Sequence, residues 1–149
     1  MAERTSSCIH IAADAARVMA VIADFASYPD WATGVKAAQV LAQGAGGRAD
    51  RVRFDLNAPP IKDTYTLDYT WRDDIEVRWS LVEASVLEAM DGAYVLRDDG
   101  HGTDVTYQLA VDVAIPMIGL LKRKAEKVVI DAALKGLKQR VESAELSGR

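Results

Sequence analysis

From Val35 to Ile115 the hydrophobic pattern of this chain has a period of two, and a stretch with helical period follows directly. Val52, Phe54 and Leu56 share one face while Arg51, Arg53 and Asp55 share the other. Tyr65, Leu67, Tyr69 and Trp71 alternate with Thr64, Thr66, Asp68 and Thr70. Val77, Trp79 and Leu81 repeat the pattern, and Tyr94 and Leu96 belong to a further strand. Val105, Tyr107, Leu109, Val111 and Val113 complete the clearest one. The breaks between them are short and polar: Gly44-Ala45-Gly46-Gly47, Pro59-Pro60, Asp73-Asp74 and Asp98-Asp99-Gly100-His101-Gly102. Strands in succession with short turns predict an antiparallel meander. Val35 to Ala42 joins it as a weaker strand, because its alanines dilute the alternation.

Both ends of this run are helical or mixed. Ser7 to Ala12 reads as a first strand with Ile9 and Ile11 on one face. Asp14 is placed to cap a helix carrying Val18, Val21, Ile22 and Phe25. Ser27 is placed to cap a second, short helix with Pro29 in its first turn and Asp30 favoured by its dipole. After Pro116 a long helix is predicted to about Ser143. Ile118, Leu121, Ala125, Val128, Val129, Ala132, Ala133, Leu137 and Val141 form its apolar stripe. A sheet of about seven strands must curl, and its apolar face must be covered. The long helix is the only element large enough to cover it, and the space between the two is the expected pocket.

The 149 residues fit one domain over 1–149, long enough to bury a core. Half of the residues are hydrophobic and 27% are charged, which is a folded rather than a disordered composition. A net charge of −4 argues against a nucleic-acid partner. Cys8 is the single cysteine, so an internal disulfide and a Cys/His zinc site are both excluded, and no metal or cofactor is expected. The first residues lack an apolar signal segment and no run is long enough to span a bilayer, so the expected location is cytoplasmic.

Asp24-Phe25-Ala26-Ser27-Tyr28-Pro29-Asp30-Trp31 resembles the D-(F/Y)-x-x-Y-P-x-W signature that follows the first helix of START-like (SRPBCC) proteins. That superfamily includes the polyketide cyclase/dehydrase and coenzyme-Q-binding branches. Ile9-His10-Ile11, Arg51-Val52-Arg53-Phe54, Tyr65-Thr66-Leu67, Asp91 to Leu96, Gly102 to Tyr107 and the terminal helix are similar to it in the same order. The resemblance implies an α+β helix-grip fold: a curved antiparallel sheet wrapped around the C-terminal helix, with two short helices after strand one. It also implies an internal cavity for lipids, sterols, quinones, polyketides or hormones. No gate loop of the plant-hormone receptor type is found, and no catalytic constellation of the aromatase/cyclase branch can be matched residue by residue.

The candidate lining follows from parity: Trp31, Phe54, Tyr65, Trp79, Tyr94, Tyr107 and Leu109, with Leu121, Ala125 and Val129 from the helix. Tyrosine and tryptophan carry polar tips that need partners when buried, and a ligand or water in a pocket can supply them. His10 is expected on the outer face and His101 in the hairpin, and no serine or cysteine pairs with either in a triad spacing. Lys62 and Asp63 read as a salt bridge at the pocket rim, with Asp63 the alternative proton-transfer group. Lys122, Arg123 and Lys124 with Lys127 form a basic cluster suited to transient contact with a membrane or an acyl carrier. Three readings stand open: a binding or carrier protein for a hydrophobic small molecule, a polyketide cyclase or dehydratase using the same cavity, and a protein-interaction module.

Overall fold

A computed structural model describes residues 5–32, 34–58, 61–113 and 119–147. Strand β1 (Thr5–Ile11) leads into helix α1 (Ala15–Ala23), a 3₁₀ turn (Phe25–Ser27) and the one-turn helix α2 (Tyr28–Trp31). Six strands follow: β2 (Val35–Gln43), β3 (Ala49–Ala58), β4 (Ile61–Arg72), β5 (Glu76–Ala84), β6 (Leu87–Asp98) and β7 (Thr103–Val113). Helix α3 (Gly119–Ser147) ends the described chain. The predicted α+β architecture is the observed one. The predicted Pro59-Pro60 break and the Pro116 helix start lie outside the described residues.

All seven strands form one antiparallel sheet in the order β1-β7-β6-β5-β4-β3-β2. Each of β2 to β6 pairs with the strand that follows it, whereas β1 pairs with β7 at the opposite edge from β2. The segment containing α1 and α2 crosses from one edge to the other. Register shifts interrupt β2–β3, β4–β5 and β6–β7, and such bulges bend a strand and increase its twist. They let the 12-residue strands β4 and β6 curve around an interior.

Local chemistry explains the turns. The Asp14 side chain accepts from Arg17 N at 2.8 Å and caps α1, as predicted. Ser27 makes no side-chain cap on α2, because it sits inside the 3₁₀ turn with helical backbone angles. At the β4–β5 turn Asp73 takes a left-handed φ of 48°, and Arg48 binds the Asp73 carbonyl and the Asp74 carboxylate while lying over Trp71. At the β6–β7 hairpin Asp98 accepts from Gly100 N and Asp99 from His101 N, and Gly100 supplies a φ of 86°.

Helix α3 packs on β1, β7, α1 and α2. Its inward stripe is Glu126, Ile130, Leu134, Leu137 and Val141, all buried. Leu137 and Val141 were expected there; Val128 and Val129 were too, and they are 62% and 42% exposed. The rotation is set by Glu126, which accepts from Thr5 Oγ1 at 2.7 Å and from Val111 N at 2.8 Å. Val111, two residues past the described Thr5↔Leu109 pair, donates its backbone N–H to this helix carboxylate. A charged residue therefore occupies the inner face, and the hydrophobic count alone could not place it.

Candidate functional site

The concave face of the sheet carries a continuous set of aromatic rings. Phe25 and Tyr28, from the segment after α1, meet Phe54 on β3 with centroids 6.0 and 5.9 Å away. Phe54 stacks on Tyr65 at 5.5 Å, and Tyr69 joins Phe54 to Trp79. Trp79 meets Tyr94 at 5.4 Å and Tyr107 edge-on at 5.5 Å. Trp31, on α2, closes one side through Tyr28 at 4.8 Å. The strands supply these rings because β3 to β7 keep their parity across the register Phe54↔Tyr65 and Val77↔Tyr94↔Tyr107.

Of the ten residues predicted to line the interior, Phe54, Tyr65, Trp79, Tyr94, Tyr107 and Leu109 are buried on this face and Trp31 is half-buried at its edge. Val129 is corrected: its side chain faces outward, for the reason given by Glu126. The side chains of Leu121 and Ala125 lie outside the described residues. Sequence reasoning passed over Tyr28 and Tyr69. Tyr69 had the parity of Tyr65 and could have been included on that ground; Tyr28 is held by a helix turn whose facing parity does not report.

The hydroxyls are the chemical content of the site. Tyr28 donates to the Ile22 carbonyl and is satisfied. Tyr65, Tyr69, Tyr94 and Tyr107 are between 5% and 9% exposed, and their hydroxyls are not among the buried polar atoms left without a hydrogen-bond partner. Burial pushes all four phenols above the ordinary tyrosine range, and neighbouring tyrosines or, for Tyr65, the Asp63 charge push further the same way. Tyr94 and Tyr107 meet edge-on at 4.7 Å, and Trp79 and Phe54 link them to Tyr69 and Tyr65. At neutral pH these groups stay protonated, so they offer O–H donors and lone pairs rather than phenolate bases.

Two buried carboxylates border the interior, and both are engaged. Asp63 accepts from Ser85, Val86 and Leu87 N at 3.0, 3.0 and 2.9 Å. Burial acts to raise its pKa, but these backbone bonds outweigh that and hold it below the usual carboxylate value. The predicted rim salt bridge with Lys62 is thus replaced by a carboxylate that organises the β5–β6 turn. Glu126 is occupied by Thr5 and Val111. Trp31 Nε1 is buried with no acceptor among the described residues.

The outer surface holds a separate grouping. His10 Nδ1 lies 2.8 Å from Asp104 and 3.8 Å from Asp99, with all three side chains exposed. Their ligand-type atoms fall within 4.8 Å of one another. These groups pair with each other across β1 and the β6–β7 hairpin and have no part in the interior. Cys8 is exposed on the same outer face. Arg123 and Lys124 are exposed on α3, and no described helix is long and apolar enough to cross a membrane.

Residues 2–142 match the protein family described as polyketide cyclase/dehydrase and lipid transport. No curated protein matches the sequence significantly. Among solved structures, a START superfamily protein from Mycobacterium smegmatis superposes with a TM-score of 0.87 at 21% identity, covering 94% of this chain and 97% of that one. The Zhui aromatase/cyclase from a Streptomyces species gives 0.74 at 17% identity, with 95% and 96% covered. A STAR-related lipid transfer protein from Xanthomonas axonopodis gives 0.73 at 22% identity, with 92% and 84% covered. These likenesses establish the shared fold.

Proposed function

Since the chain belongs to the polyketide cyclase/dehydrase and lipid transport family of START-like proteins, we propose that it binds a hydrophobic small molecule whose apolar body carries several oxygen atoms. The observation that carries this reading is the set of four tyrosines, Tyr65, Tyr69, Tyr94 and Tyr107, whose rings and hydroxyls belong to one concave aromatic face. A ligand that presented only methylenes would offer those hydroxyls no bond, at a cost of about 1–3 kcal/mol for each one cut off from water. A flat or folded ligand with keto, quinone or phenolic oxygens satisfies them while its carbon frame takes the aromatic contacts.

Binding and carriage fit the chemistry better than turnover. The phenols are raised, not lowered, and Asp63 and Glu126 are held by backbone and hydroxyl donors. The cyclase or dehydratase reading draws on the family and on the aromatase/cyclase fold likeness; in it the cavity would fold a reactive chain and proximity would supply the rate. Delivery would use the exposed Arg123 and Lys124, with Lys122, against an anionic membrane or an acyl carrier.

Native mass spectrometry of the purified protein, with extraction of whatever co-purifies, tests the first reading. A retained oxygenated hydrophobic molecule that is released unchanged supports a binder. Conversion of an added poly-β-ketone to a cyclised product replaces that reading with the enzyme. No adduct and no thermal shift across an oxygenated panel removes both and leaves the interaction module. Anionic vesicles that retain the wild type but not a Lys122→Glu, Lys124→Glu variant would support delivery at a lipid surface.

A further inference from the structure

β6 carries a glycine, Gly92, in its interior, paired with Trp79 on β5 and with Leu109 on β7. Glycine in the middle of a strand is unfavourable, and it marks a place where something must approach the backbone. Here the object is the Trp79 indole. A Cβ on Gly92 would overlap indole atoms Cε2 and Cζ2 and stand 2.5 Å from Nε1. The indole therefore lies down across β6 instead of standing off β5. In that pose it reaches Tyr107 edge-on at 5.5 Å and Tyr94 at 5.4 Å.

We propose that Gly92 is a specificity-determining residue: by letting Trp79 lie flat, it sets the depth of the interior and so the largest ring system the site admits. The inference rests on the ligand-binding reading above. Any side chain at position 92 tips the indole off the sheet, toward the interior side on which the Tyr69, Tyr94 and Tyr107 rings stand. One methyl group at the floor then removes room from the ligand without touching it. Trp79 and Gly92 act as a pair, since a smaller ring at 79 relieves the overlap that a Cβ at 92 creates.

The test uses fluorescent phenols of graded size, 2-naphthol with two rings and 1-hydroxypyrene with four, titrated into the full chain. Gly92→Ala is expected to weaken 1-hydroxypyrene about tenfold or more relative to 2-naphthol. Trp79→Phe added to Gly92→Ala is expected to return the ratio of the two affinities to near the wild-type value. Trp79→Phe alone keeps Gly92 and should favour the four-ring probe, so the question stays decidable if Gly92→Ala does not fold. Equal weakening of both probes, or a ratio that Trp79→Phe does not restore, overturns the proposal while leaving ligand binding intact. Failure of the wild type to bind either probe overturns the proposal together with the ligand-binding reading.

Discussion

Tyr94 and Tyr107 are the residues at which binding and stability separate. Their rings belong to the core and meet edge-on at 4.7 Å, contacts that do not need the hydroxyls. Tyr94→Phe and Tyr107→Phe should each leave the urea-unfolding free energy within about 0.5 kcal/mol of wild type. Each should weaken an oxygenated ligand by roughly threefold to tenfold in calorimetric titration, the worth of one hydrogen bond. Asp63 is the opposite case. Asp63→Ala strands three backbone donors at the β5–β6 turn and should cost about 2–3 kcal/mol in urea unfolding. Its carboxyl is held lower in the folded chain than in the unfolded one, so its contribution is present above about pH 4 and is lost as pH falls through the lowered folded value. His10 has the reverse sign. The Asp104 hydrogen bond raises its pKa, aided by Asp99, while Lys138 and Glu142 of α3 lie close by. The stabilisation from protonated His10 is full below about pH 6.5 and is lost as pH rises through the raised folded value. His10→Gln should therefore reduce the difference in melting temperature between mildly acidic and mildly basic buffer.

Among the elements, α3 is held by two contacts that no hydrophobic pattern records. At one end Glu126 ties the helix to β1 and β7. Further along, Gly136 lets it close on α2, where a Cβ would overlap the Trp31 carbonyl oxygen and stand 3.5 Å from the indole Cε3. Alanine normally improves a helix by about 1 kcal/mol over glycine. Gly136→Ala should nonetheless lower the melting temperature, because the obstacle is backbone, and hydrogen exchange should show faster opening at α2 than at β4. These contacts also mark what the sequence could not reveal. Strands β3 to β7 were readable because alternation fixes the facing of every residue once one is known. The rotation of α3 was not, since its stripe has a buried glutamate at 126 and exposed valines at 128 and 129. Ser27 misled for a related reason: a capping residue type is a local preference, and a 3₁₀ turn had already fixed its backbone.

For the molecule as a whole, the fold was legible and the site only partly so. The order of patterned segments determined the meander, and the Asp24–Trp31 signature pointed to the helix-grip arrangement that the structure has. The candidate lining was legible on the sheet, where Phe54, Tyr65, Trp79, Tyr94 and Tyr107 share one face. Nothing in alternation could say that Trp79 lies down over Gly92, because that depends on the residue paired with it on the neighbouring strand rather than on its own strand's pattern. If the interior takes a ligand, binding must stabilise the fold by linkage. A ligand at one hundred times its dissociation constant should add about 2.7 kcal/mol, seen as a melting shift of several degrees.

The sheet order has a consequence for how the chain is made. β2 to β7 can zip together one hairpin at a time as they leave the ribosome, but β1, made before them, has its strand partner among the described residues in Thr103–Leu109. That segment must wait for β7, and Glu126, bonded to Thr5 and Val111 at once, records the moment when both arrive. Until then the β7 edge of the aromatic face has neither β1 nor α3 packed on it.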